Sequence, residues 1–132
     1  LDLDEDLKGR KIAVLGAAFK PDSDDVRDSP ALDIADQISR AGAVVNVFDP
    51  KANANAQVRF PKLNYVDSIE SCLDKAEIVL HLTEWKEFRV IDPTKAKALV
   101  TRANIIDGRN ALDREAWESA GWHFRALGRT TR

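Results

Sequence analysis

The stretch Ile12–Pro30 reads IAVLGAAFKPDSDDVRDSP. The apolar run from Ile12 to Leu15 stops at Gly16. A run without polar alternation reads as a strand buried on both faces, the pattern of a parallel sheet. A polar loop with Lys20 and Arg27 follows, and Ser29-Pro30 opens a helix, with Ser29 as N-cap and Pro30 at the first helical position. A buried strand, a loop with cationic side chains and a helix end carrying free N–H groups and partial positive charge together make an anion site. The segment points to a phosphate-bearing ligand.

Working outward, Ala31, Leu32, Ile34, Ala35 and Ile38 fall on one helical face, and Gly42 ends that helix. Val44, Val45, Val47 and Phe48 give a second strand, stopped by Asp49-Pro50, and Lys51–Val58 a short helix. Leu63–Val66 reads as a third strand. Asp67-Ser68-Ile69-Glu70 has capping-box spacing with Asp67 at the cap, ahead of a helix turning Ile69, Cys72 and Leu73 inward. Ile78–Leu82 is the next strand, and Thr83-Glu84 begins a turn or short helix holding Trp85 and Phe88. A helix from Pro93 to Leu99, a strand Ala103–Ile106, a helix Asp113–Ser119 and a strand Trp122–Ala126 complete the chain.

Such alternation predicts a Rossmann-like α/β domain, a mostly parallel sheet with helices on both faces. Ligands of such sheets bind beyond the carboxyl ends of the strands. Gly16–Lys20, Asp49, Thr83–Trp85 and Asp107–Asn110 all follow strands and are expected to converge on one edge.

With 132 residues, 44% of them hydrophobic and 32% charged, the chain suits a single globular domain. A net charge of −2 gives no broad attraction to nucleic acid, and no apolar run reaches the length of a membrane span. The first ten residues are acidic, unlike a signal peptide. One cysteine, Cys72, excludes an internal disulfide framework and fits a reducing cytoplasm. Met is absent even at position 1, as expected of a piece of a longer protein.

Each candidate site residue has a plainer alternative. Gly16-Ala17-Ala18-Phe19 is not a dinucleotide fingerprint, which needs glycine where Ala18 and Pro21 stand; Gly16 also fits a simple tight turn. Lys20 and Arg27 suit phosphate, or are neutralised locally by Asp22, Asp24, Asp25 and Asp28. Arg109 follows a strand, where Gly108 allows a backbone angle that aims the guanidinium inward; an ordinary turn with a surface Arg is the rival. Asp49 reads better as a turn former than as a ribose-binding acid. Cys72 reads as a buried structural thiol, His81 and His123 lack metal-ligand company, and Trp85, Phe88, Trp117 and Trp122 read as packing residues.

Val14–Lys20 followed by Asp24–Pro30 resembles the opening of the C-terminal, UDP-binding domain of UDP-glucose 6-dehydrogenases. Val47–Pro50, Thr83–Phe88 and Asp107–Asn110 agree in the same order, and the likeness runs from about Leu7 to Arg129. The resemblance implies a linker over residues 1–10, a UDP-binding domain over 11–129 and a tail over 130–132. It implies a full enzyme with an N-terminal NAD-binding domain and a dimer-forming central helix, which oxidises UDP-glucose with two NAD to UDP-glucuronate. By the same resemblance Phe19, Lys20 and Arg109 contact the nucleotide sugar and Arg27 reaches NAD. The catalytic cysteine of the family lies outside these blocks, so Cys72 inherits no such role and the fragment alone is expected to be inactive. Dehydrogenases of UDP-N-acetylmannosamine or GDP-mannose, and a stand-alone nucleotide-binding or protein-interaction module, are the rival readings.

Overall fold

The computed structural model describes residues 7–18, 20 and 22–126. Six strands alternate with helices: β1 (Lys11–Leu15), α1 (Pro30–Arg40), β2 (Val44–Phe48), α2 (Asn53–Arg59), β3 (Asn64–Tyr65), α3 (Ile69–Leu73), β4 (Ile78–His81), α4 (Lys86–Arg89), α5 (Pro93–Lys97), β5 (Asn104–Asp107), α6 (Arg114–Ser119) and β6 (His123–Ala126). They form one sheet in the order β3-β2-β1-β4-β5-β6, and every neighbouring pair is parallel. This is the doubly wound order expected of a Rossmann-like domain.

β1 is central, which explains its composition. Ile12 to Leu15 are all at most 1% exposed, with β2 and β4 on either side and helices above and below. The helix α1 turns Ala31, Leu32, Ala35 and Ile38 into the same core. Ser29 caps it, its Oγ accepting from the Leu32 amide at 3.3 Å, and Gly42 leaves it at φ +103°. Trp85, Phe88, Trp117 and Trp122 are buried in the core, as expected of packing residues.

One cap differs from expectation. Ser68, not Asp67, caps α3, accepting from the Ser71 amide at 3.0 Å. The helix is only five residues long and starts one position later, so Ser68 takes the extended cap conformation. Of the expected linker, Leu7 packs into the core and the Gly9 amide donates to Gly42 O at 2.9 Å. The tail over 130–132 lies outside the described residues. Among the described residues no helix is long and apolar enough to cross a membrane.

The strand order reverses between β1 and β4. A sheet wound this way opens a crevice at the carboxyl ends of those strands. The register places Leu15 opposite Phe48 on one side and His81 on the other, and His81 opposite Asp107. The loops that leave these residues therefore start from one level.

Candidate functional site

The loop after β1 is closed by its neighbours. Gly16 sits at φ +112°, and a Cβ there would lie 2.5 Å from Thr83 Cβ, so only glycine lets the two loops meet. The next two amides, of Ala17 and Ala18, donate to Asp49 Oδ2 at 2.8 and 2.9 Å. Trp85 Nε1 donates to the same oxygen at 3.0 Å. Asp49 Oδ1 accepts from the amides of Lys51 and Ala52 at 2.9 and 2.8 Å. The carbonyls of the loop are taken as well, Ala17 O by Ser29 Oγ and Ala18 O by Thr83 Oγ1, both at 2.8 Å.

The N-cap expected at Ser29 is present, and the loop after β1 is closed from within. An internal carboxylate occupies the Ala17 and Ala18 donors, and the buried Ser29 hydroxyl caps α1. Asp49 is neither a ribose acid nor merely a turn former. It is the anion of this loop.

The loop after β5 is built the same way. Asp107, 1% exposed, accepts the Arg109 amide on Oδ1 at 3.0 Å and the Ala111 and Leu112 amides on Oδ2, both at 2.8 Å. His81 Nδ1 meets Oδ1 at 2.8 Å. Burial pushes the Asp107 carboxyl up, but the hydrogen bonds from His81 and the loop amides outweigh it and hold the group below its ordinary value. Gly108 is not the residue that turns this loop: the left-handed angle belongs to Asn110, at φ +57°. Asp107 drives that turn by gathering three amides onto one carboxylate.

Of the expected cationic residues, Arg109 is held at both its amide and its guanidinium. Its Nε donates to Glu84 Oε1 at 2.7 Å, with both side chains about a third exposed. Burial raises Glu84, and the Arg109 hydrogen bond and charge bring it below the ordinary carboxylate value. Lys20 is exposed on the neighbouring loop. Arg27 forks onto Asp25, Nε to Oδ1 at 3.1 Å and Nη2 to Oδ2 at 3.0 Å, and its side chain is 80% exposed. That hydrogen bond, with added attraction from Lys20, lowers Asp25 to about 2. Local neutralisation by an aspartate is thus present for Arg27, in an open groove of about 500 Å³ between the Asp24–Arg27 turn and α2. Arg109 and Arg27 are held by different carboxylates, Glu84 and Asp25. Phe19 lies outside the described residues.

Cys72 fits the buried structural reading. Its Sγ donates weakly to Asn46 O at 3.4 Å and Val14 O at 3.6 Å, and burial pushes its thiol up to about 12. Among the described residues no His, Cys, Asp and Glu side chains cluster as metal ligands. The residues that sequence reasoning missed are Glu84, His81 and Asp107 as supports of Arg109. The signal available for them was their place at a sheet edge: His81 and Asp107 end β4 and β5, and Glu84 lies in the loop that follows β4.

Residues 13–114 match the UDP-glucose/GDP-mannose dehydrogenase family, UDP binding domain. The chain belongs to this family. The UDP-binding domain is 41% identical over 128 residues to the UDP-glucose 6-dehydrogenase of Rickettsia bellii, covering 96% of this chain and 30% of that protein. In fold it resembles an NDP-N-acetyl-D-galactosaminuronic acid dehydrogenase from Methanosarcina mazei (TM-score 0.82, 31% identity, 97% of this chain, 26% of that one). It also resembles a UDP-D-ManNAc dehydrogenase from Pyrococcus horikoshii (TM-score 0.77, 27% identity, 97% of this chain, 28% of that one). The chain thus spans less than a third of each of these three proteins. The clamped β1 loop, Glu84 and Asp107–Asn110 all fall within the matched span, so the UDP-binding domain carries its candidate site at the crevice of its own sheet.

Proposed function

We propose that this domain binds the nucleotide portion of a UDP-sugar at the carboxyl edge of β1, β4 and β5, within an NAD-dependent UDP-glucose 6-dehydrogenase. The observation that carries the reading is Arg109: its main chain is tied to Asp107 and its Nε to Glu84. Its two Nη groups are left to face a diphosphate as a fork. Lys20 adds a second cation from the β1 loop, with Phe19 beside it in sequence. Both would offset the charge of the ligand.

The domain's own part in the reaction is binding and orientation. Holding the nucleotide away from the sugar C6 alcohol turns binding energy into alignment of the reacting group. NAD, when bound, accepts hydride. The β1 loop does not fit that cofactor's pyrophosphate, because Asp49 already fills the Ala17 and Ala18 donors. In keeping with the family, NAD is assigned to a separate N-terminal domain, with Arg27 reaching it from this side. Cys72 takes no part, and on family resemblance the catalytic cysteine lies outside this domain, which leaves the domain alone inactive within a cytoplasmic homodimer.

The UDP-D-ManNAc and NDP-N-acetyl-D-galactosaminuronic acid dehydrogenases of similar fold favour a second reading, oxidation of an N-acetylated sugar nucleotide. Titration of the chain with UDP, against AMP, followed by amide NMR tests the site. Shifts at residues 16–30 and 107–110, stronger with UDP, support it; equal shifts with both ligands refute uridine recognition. In the full-length protein, Arg109→Ala should raise KM for UDP-glucose, and turnover of UDP-glucose against UDP-N-acetylmannosamine and GDP-mannose decides the sugar.

A further inference from the structure

His81 is fully buried at the end of β4, and no contact with a ligand is asked of it. Its Nδ1 must be the donor to Asp107, because the carboxylate oxygen only accepts. Among the described residues its Nε2 is buried with no hydrogen-bond partner. Buried polar atoms are normally paired, so a ring kept here with one nitrogen unsatisfied marks the other bond as the one that matters. The edge of the ring stands against Phe88, with centroids 5.9 Å apart and planes at 86°. One hydrogen bond therefore fixes what the ring does.

That bond lands on the oxygen that also holds Arg109. Asp107 Oδ1 accepts both His81 Nδ1 at 2.8 Å and the Arg109 amide at 3.0 Å. The backbone repeats the link, since the Gly108 amide donates to His81 O at 2.9 Å. His81 thus grips the loop before Arg109 by main chain and side chain, while Glu84 grips the guanidinium. Without the imidazole donor, Oδ2 stays held by the Ala111 and Leu112 amides while Oδ1 keeps only the Arg109 amide, so the slack falls on the oxygen that carries Arg109.

We infer that His81 is a positioning residue for nucleotide-sugar binding: through Asp107 it sets the backbone from which Arg109 meets the diphosphate. The inference rests on the proposed role of Arg109. It assigns His81 no contact with substrate and no proton transfer. Its effect therefore belongs in substrate affinity, acts only through Arg109, and depends on a donor at the Nδ1 position.

The test uses the full-length protein with H81L, H81N, H81Q, R109A and the H81L/R109A double variant, scored by KM and kcat for UDP-glucose. Asparagine places an N–H close to Nδ1, whereas glutamine carries its N–H toward the Nε2 end. H81L is expected to raise KM about tenfold, the scale of one lost hydrogen bond to a charged acceptor, with kcat within about twofold. H81N should restore most of the affinity and H81Q should not. In the R109A background H81L should add nothing. If R109A raises KM while H81L leaves it unchanged, the inference fails and the reading of Arg109 stands. If R109A itself leaves KM unchanged, the reading of the site fails and the inference with it. Should H81L not fold, equal KM values for H81N and H81Q overturn the inference.

Discussion

Replacing Asp49 with Asn tests whether an internal carboxylate organises the crevice. The wild-type side chain accepts five N–H donors, from Ala17, Ala18 and Trp85 on one oxygen and from Lys51 and Ala52 on the other. Asparagine has one oxygen. Turned toward the set of three, it faces its own NH2 to the Lys51 and Ala52 amides, and two hydrogen bonds to a charged acceptor are lost. At about 1.5–3 kcal/mol each, the loss is about 3–6 kcal/mol before relaxation. The relief from no longer burying a charge offsets part of it, which brings the expected net to about 3 kcal/mol. That is a large fraction of the stability of a domain of this size. It corresponds to a fall in Tm of about 10 °C or more. Urea unfolding followed by tryptophan fluorescence reads it directly, since Trp85 is one of the donors. A loss below about 1 kcal/mol with an unchanged m value would refute the reasoning.

Three further outcomes are expected. Gly16→Ala combines a strained φ of +112° with a Cβ 2.5 Å from Thr83 Cβ, and should cost about 2–5 kcal/mol in the same assay; a change under about 1 kcal/mol contradicts the close approach of the two loops. Asp107 is held below its ordinary 3.8 in the folded state, so its stabilisation is complete above that value and lost as pH falls through the lower folded one. Asp107→Asn should therefore flatten the decline of the urea midpoint below about pH 4, and parallel profiles would count against the coupling. Cys72, buried and raised to about 12, should resist Ellman's reagent in native buffer and react on unfolding; fast stoichiometric labelling of the folded chain would overturn its structural role.

The elements were legible wherever the pattern is local. The unbroken run Ile12–Leu15 gave a central strand, and the apolar stripe from Ala31 to Ile38 between Ser29 and Gly42 gave a helix whose described ends lie where their caps stand. The α3 cap was misplaced by one residue because Asp67 and Ser68 are adjacent and both able to cap; Ser68 is the one that accepts from the first turn. The site was legible only as four segments after strands. Its wiring was not, because Asp49 and Ala17 are separated by 32 positions, and His81 and Asp107 by 26.

The sequence by itself therefore determined the α/β alternation, the parallel character of the sheet and the family blocks that reach its carboxyl edge. These follow from periodicity and capping, which act within a few residues. Only the tertiary structure decided that the Ala17 and Ala18 amides close on Asp49 rather than on a ligand, and that Asp107, His81 and Glu84 together support Arg109. The reason is geometric. Strand register brings Phe48, Leu15, His81 and Asp107 to one level, and a buried carboxylate there takes whichever donors that level supplies.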